Sequence, residues 1–158
     1  MVKTAVLFVC LGNICRSPLA EAAFCAEAER LGLDVEVDSA GTGGWHEGQP
    51  PDRRAVAAAA RGGVDIAHLR ARKVRPADFD RFDHIVALDR ENLEDLGAIA
   101  PAGGRARLSL LLDHVPGREG QAVADPYYGG EAGFDHTWHD VSEAARGLAR
   151  LLQRGPAP

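Results

Sequence analysis

Cysteine is scarce in this chain of 158 residues, and Cys10, Cys15 and Cys25 make an odd number. Three thiols cannot form a disulfide framework, and a chain of this length with 46% apolar residues fills its own core. A reducing interior is the setting this implies, so a cytoplasmic location is expected. Lysine is rarer still: Lys3 and Lys73 are the only two, and the other cations are arginines scattered among acids. That bias reads as genome composition or thermal adaptation before function. With a formal net charge of −5 and no basic stripe, the sequence excludes a nucleic-acid surface. No apolar run approaches the roughly twenty residues that span a bilayer, so no membrane partner is expected. Met1-Val2-Lys3 and the apolar stretch after it imitate a secretion leader, but the stretch is short and lacks a small-residue cleavage site. The histidines do not fall at metal-ligand spacings with cysteines or carboxylates, so no metal and no cofactor is expected, and His136 and His139 read as solvated helix residues. Repeats, linkers and low-complexity tracts are also missing. The expectation is one domain over residues 1–154 with a flexible tail at 155–158, its oligomeric state left open with a monomer admitted.

What is present is an alternation of strand and helix signals. Ala5-Val6-Leu7-Phe8-Val9 reads as a buried parallel strand, followed by a helix over Leu19 to Leu31 that stops at Gly32. Val35 to Asp38 reads as a second strand and Ser39 to Pro51 as a Gly/Pro-rich loop. Asp52 caps a helix through Ala57 to Ala60, which ends at Gly62-Gly63. Ile85 to Leu88 forms a third strand, Glu91 to Leu96 a short helix, Arg107 to Leu111 a fourth strand-like segment, and Asp135 to Leu152 a last helix with Val141, Ala145, Leu148 and Leu152 along one stripe. This order implies an α/β domain of three layers, a parallel sheet covered by helices on both faces, with its ligand site at the carboxyl edge of the strands.

The first loop at that edge reads Cys10-Leu11-Gly12-Asn13-Ile14-Cys15-Arg16-Ser17-Pro18. Ser17 and Pro18 supply a helix cap and a proline for the first helical position, so the loop wraps a helix amino terminus. There, unpaired amides and the helix dipole favour an anion. The same field is expected to lower the Cys10 thiol's pKa, and Arg16 adds a planar fork that can hold two phosphate oxygens. Gly12 lets the backbone approach the anion, and Asn13 suits a left-handed turn. Strand, thiol, amide nest and guanidinium together point to chemistry at phosphorus. Cys15 lies close enough in sequence for a reversible bridge to Cys10, or it packs beneath the loop; Cys25 reads as structural.

The segment VLFVCLGNICRSP resembles the signature of the low-molecular-weight protein tyrosine phosphatases. Asp38-Ser39-Ala40-Gly41-Thr42, Pro50-Pro51-Asp52 with Arg54, and Asp125-Pro126-Tyr127-Tyr128-Gly129 follow in that family's order. The resemblance implies a flavodoxin-like sheet order of 2-1-3-4 and hydrolysis of a tyrosine-phosphorylated protein through a phosphocysteine. In that scheme Cys10 is the nucleophile, while Arg16 and the amides of Leu11, Gly12, Asn13, Ile14 and Cys15 hold the phosphate. Ser17 donates to the sulfur. Asp125, kept extended by Pro126, is the expected general acid and base. Asn13 is expected to bond Ser39 and tie the loop to the second strand. Asp52 with Arg54 should brace the loop from below, and Asp89 should form a buried pair with His68, although the family's histidine lies one residue out of step here.

Trp45, Tyr127 and Tyr128 lie in Gly/Pro-rich loops and are expected to wall a cleft deep enough to prefer phosphotyrosine over shorter phosphoserine. Two other readings use the same loop. An arsenate reductase would need two further cysteines to relay a disulfide outward, yet no cysteine follows Cys25. A phosphocarrier that passes phosphate from Cys10 to a partner would need no general acid.

Overall fold

A computed structural model describes residues 3–154; the tail assigned to 155–158 lies outside the described residues. Strand β1 (Thr4–Cys10) is buried from Ala5 onward, so both of its faces must be covered. It runs parallel to β2 (Val35–Gly41) on one side and β3 (His84–Ala87) on the other, and β3 pairs in parallel with β4 (Arg107–Leu110), giving the order β2-β1-β3-β4.

The two-residue alternation of a strand splits the core in two. Val6, Phe8 and Cys10 face a layer built from α1 (Arg16–Leu31), α2 (Arg53–Arg61) and α5 (Glu131–Gln153). Ala5, Leu7 and Val9 face Phe79 on α3 (Asp78–Arg81) and Leu96 on α4 (Arg90–Ile99), together with Phe82, Ile85 and Leu110. Cys10 thus shares the parity of Phe8 and projects toward the side where α1 begins.

Several boundaries differ from the sequence reading. Helix α1 starts at Arg16, after a Cys15 whose side chain makes no cap bond, so Ser17 is the second helical residue and not the cap. Its hydroxyl is taken by the Cys10 sulfur instead. Pro18 still falls in the first turn, where a missing N–H leaves nothing unpaired. Strand β2 overruns the predicted Asp38 through Ser39 to Gly41, because those residues pair with Phe8 to Cys10 and Gly41 is also bonded to the chain at Arg72 and Val74. Helix α5 begins at Glu131, just after Gly129-Gly130, four residues before the expected start. The four-residue α3 and the 3-10 turn Leu111–His114 carry too few residues for a periodic signal. Asp52 and Asp89 do cap α2 and α4, accepting from the amides of Arg54 at 2.8 Å and Asn92 at 2.7 Å.

Helix α5 lies so close to the 3-10 turn that a Cβ on Gly147 would sit 2.0 Å from the His114 carbonyl oxygen. Helix propensity alone favours Gly→Ala by about 1 kcal/mol. Gly147→Ala is expected to destabilise instead, and urea unfolding that shows a gain would refute this packing.

Candidate active site

The chain leaves β1 at Cys10 and re-enters helix at Arg16, and the intervening turn is possible because Asn13 takes φ 58°, the left-handed region that asparagine tolerates. Gly41 makes room for it: a Cβ there would lie 2.8 Å from the Leu11 carbonyl oxygen and 3.2 Å from the Asn13 nitrogen. The turn brings the Asn13 amide to 3.3 Å from the Cys10 sulfur and the Ser17 hydroxyl to 3.0 Å. The Asp52 amide donates to the Ile14 carbonyl at 2.8 Å, which ties the loop to the start of α2.

Hydrogen-bond direction can be worked out from a single fixed donor. The backbone N–H of Arg72 donates to the Asn13 side chain at 3.0 Å, so the Asn13 oxygen must face it. The Asn13 amide nitrogen then donates to Ser17 at 2.8 Å and to Ser39 at 3.0 Å. Having accepted from Asn13, Ser17 has one hydrogen left, and the sulfur at 3.0 Å is nearer than the Ala40 carbonyl at 3.5 Å. The Cys10 sulfur thus accepts from the Asn13 amide and lies within hydrogen-bond distance of the Ser17 hydroxyl, whose hydrogen has the sulfur and the Ala40 carbonyl as its two acceptors. Asn13, Ser17 and Ser39 are all buried, so each bond forms away from water.

Arg16 is buried as well, and its guanidinium donates to Asp89 at 2.7 Å and to the Val123 carbonyl at 3.0 Å, with Asp125 3.7 Å away. Burial alone would lower its pKa. The Cys10 sulfur, the hydrogen bond and charge of Asp89 and the charge of Asp125 outweigh that and hold it above the ordinary arginine value. The Cys15 thiol is pushed up by burial and by the charges of Asp52, Cys10 and Asp125, with Arg54 opposing. Both loop cysteines are free thiols.

Asp125 reaches the site on a separate segment. The Val123 amide donates to the Leu88 carbonyl at 2.9 Å, just beyond β3, and the Tyr127 amide donates to Asp125 itself at 3.1 Å in a local turn. Arg54 clamps the residues after this turn, donating to the carbonyls of Tyr127 at 2.9 Å and Gly129 at 2.7 Å while both Asp52 oxygens hold its other face. The Arg54 guanidinium also stacks 4.5 Å from the centre of the Phe134 ring. Asp52 and Arg54 thus brace two loops, the cysteine loop through a backbone bond and the aspartate loop through the guanidinium.

Between these segments opens a cavity of about 230 Å³. Cys10, Leu11, Gly12, Ile14, Cys15 and Arg16 line it from the loop, and Trp45, His46, Asp125, Tyr127 and Tyr128 complete its lining. Trp45 at 71% and Tyr128 at 95% exposure stand at the rim and not in the core, and the two tyrosine rings meet edge-on at 5.0 Å. Among the described residues, no group of three or more histidine, cysteine or acidic side chains could hold a metal ion, and no helix is long and apolar enough to cross a membrane.

His68 is not brought to the site. It is exposed, and both Asp89 oxygens are engaged elsewhere, one on Asn92 and one on Arg16. Cys25 is exposed on α1, so it does not fill the core. Three contributors were missed. His46 lines the cavity and covers Gly12, adjacent to the Trp45 that loop composition had marked. Arg72 fixes the Asn13 amide through a backbone group, which no side-chain pattern reveals. Glu21 accepts from Ser39 at 2.7 Å; its signal was the four-residue spacing from Ser17, which places both on one helix face.

A parallel α/β domain with a buried acceptor sulfur and a guanidinium at the carboxyl edge of β1 defines a cysteine-dependent phosphate-handling protein. The profile of the low molecular weight phosphotyrosine protein phosphatase family matches residues 5–157, and the chain belongs to that family. A low molecular weight phosphotyrosine protein phosphatase of Schizosaccharomyces pombe is 46% identical over 150 residues, covering 93% of this chain and 96% of its own. The crystal structure of an Entamoeba histolytica protein tyrosine phosphatase with Hepes in the active site superposes with a TM-score of 0.91 at 35% identity, covering 97% of this chain and 99% of that one. The Bacillus subtilis arginine phosphatase YwlE, in a mutant whose active-site serine is phosphorylated, superposes at 0.87 and 28% identity over 96% of this chain and 97% of its own.

Burial, aided by the Asp38 charge and opposed by the Ser39 hydrogen bond and Arg72, pushes the Glu21 carboxyl up to about 7 from its ordinary 4.5. The folded protein therefore holds this proton more tightly than the unfolded chain. Stability from it is present below about 4.5 and is lost as pH rises through about 7. Glu21→Gln should raise the melting temperature more at pH 8 than at pH 5; equal shifts at both would contradict a half-buried, hard-to-ionise Glu21.

Proposed function

We propose that this phosphatase cleaves phosphotyrosine in proteins through a covalent phosphocysteine. The Cys10 sulfur, as thiolate, attacks phosphorus in line, and an S–P bond forms as the bond to the phenolic oxygen breaks. Arg16 and the loop amides of residues 11 to 16 hold the three equatorial oxygens. Asp125 gives its proton to the departing phenolate. The resulting carboxylate then takes a proton from water, the water oxygen bonds to phosphorus, and the S–P bond breaks to return the thiolate and release inorganic phosphate.

The observation that carries this reading is a sulfur beside Arg16 with the Asn13 amide at 3.3 Å and the Ser17 hydroxyl at 3.0 Å, and Asp125 3.7 Å from that guanidinium on a separately anchored loop. A sulfur that receives two hydrogen bonds is a stabilised anion in the attacking state and a stabilised leaving group in the second step. The phosphorylated active-site serine of the YwlE mutant supports a phosphoryl group carried at the nucleophile's position. The aromatic rim favours a flat, long phosphoester: the ring of phosphotyrosine lies between Trp45 and the two tyrosines while its phosphate reaches the floor. Leu11, Gly12, Asn13, Ile14, Cys15 and Ser17 shape the phosphate seat, and Ser39, Asp52, Arg54 and Asp89 support it. Residues 1–154 act as one phosphatase domain, and the free thiols fit a reducing compartment such as the cytoplasm.

Cys10→Ser should abolish multiple turnover of p-nitrophenyl phosphate, and retained activity would end the covalent scheme. Asp125→Asn is expected to slow aryl phosphates on the order of 10²-fold and to affect phosphates with acidic leaving groups less. Uniform rates across leaving groups would remove Asp125 from the proton transfer.

A further inference from the structure

The hydrogen-bond chain behind the nucleophile does not end at Ser39. Ser39 is buried, it accepts from Asn13 at 3.0 Å, and its single hydrogen goes to Glu21 Oε1 at 2.7 Å. Four links therefore join a carboxyl group on α1 to the sulfur of β1: Glu21 accepts from Ser39, Ser39 from Asn13, and Asn13 donates again to Ser17, whose hydroxyl lies 3.0 Å from Cys10. Each hydroxyl has one hydrogen and must turn it away from the Asn13 amide, so the sense is fixed from Glu21 to Ser17, whose hydrogen has the Cys10 sulfur at 3.0 Å and the Ala40 carbonyl at 3.5 Å as its acceptors.

We propose that Glu21 is a positioning residue for the phosphatase reaction, the acceptor that sets the sense of this chain and so keeps the Ser17 hydrogen on the Cys10 sulfur. This rests on the reading of Cys10 as nucleophile and adds a group that touches neither substrate nor sulfur.

The physical reason is where the Ser39 hydrogen can go. With an acceptor at position 21, that hydrogen points away from Asn13 and a lone pair meets the Asn13 amide. Without one, a buried hydroxyl has no partner for its hydrogen and must turn, which places donor against donor at Asn13. The Asn13 side chain then loses one of the three bonds that align it, and the Ser17 hydrogen can shift to the Ala40 carbonyl, 3.5 Å away. The sulfur would lose one of its two donors. The charged neighbours of Glu21 are Asp38 on β2 and Arg72, which bridges Asp38 and Asp78; the Cys25 thiol lies one turn further along α1. None of these accepts from Ser39 Oγ, whose one acceptor among the described residues is Glu21.

The test is the pH profile of iodoacetate alkylation, read by peptide mass so that Cys10, Cys15 and Cys25 are counted separately. Glu21→Ala is expected to move the Cys10 midpoint up by roughly one unit, as for loss of one donor to a thiolate, and to lower kcat with little change in KM. Glu21→Gln keeps an acceptor oxygen and is expected to restore the wild-type midpoint. Ser39→Ala should reproduce the Glu21→Ala shift, and the double variant should shift no further than Ser39→Ala alone. A Glu21→Ala profile that overlies wild type, or a Glu21→Gln shift as large as that of Glu21→Ala, overturns the proposal. If Glu21→Ala does not fold, an unshifted Ser39→Ala midpoint overturns it equally. A wild-type Cys10 that alkylates like an ordinary thiol would instead sink the nucleophile reading itself, so the two failures are distinguishable.

Discussion

The site depends on one backbone torsion. Asn13 in the left-handed region turns the chain back on itself between a strand end and a helix start, and this lets an amide and a hydroxyl converge on one sulfur. A residue that resisted that torsion would open the loop and separate the sulfur from the helix terminus. The same asparagine then orients the serines on both sides, so one residue supplies both the loop's shape and the direction of its hydrogen bonds. The parallel sheet makes this arrangement available, because it places β1's carboxyl end and α1's amino end at one edge with β2 alongside to hold Ser39.

Stability and function pull against each other here. Arg16 is a buried cation whose charge is balanced by Asp89 and by Asp125 3.7 Å away, with the Val123 carbonyl accepting a further hydrogen bond, leaving donor capacity toward the cavity. Glu21 is a half-buried acid that the fold would rather keep protonated. Both are costs that an apolar replacement would avoid, and both sit within a few bonds of the nucleophile. Such polar groups, fully partnered among themselves, also rigidify the loop around the place where an anion binds.

Much of the site was legible in residues 10 to 18, because strand, loop and helix signals there are consecutive and each residue type has a chemical reason for its place. Asp52 and Asp89 were readable as caps for the same local reason. Ser17 was readable both as a helix cap and as the sulfur's partner; the structure keeps the sulfur contact and drops the cap, because α1 begins one residue earlier at Arg16. His68 was misplaced because a pairing with Asp89 needs a distance across the fold, and Arg16 occupies that carboxylate. The roles of Glu21 and Arg72 were hidden for a related reason: one acts through two intermediaries and the other through its backbone.

By itself the sequence determined the alternation of elements, the burial of β1 and the presence of a thiol and a guanidinium on one anion-binding loop, since these follow from periodicity and from bonds within a few residues. Only the tertiary structure decided which way the hydrogens run, that Arg54 would clamp the aspartate loop and that Asp89 would serve Arg16. Those outcomes depend on groups far apart in the chain competing for the same donor or acceptor, and that competition is settled by distance in the folded core.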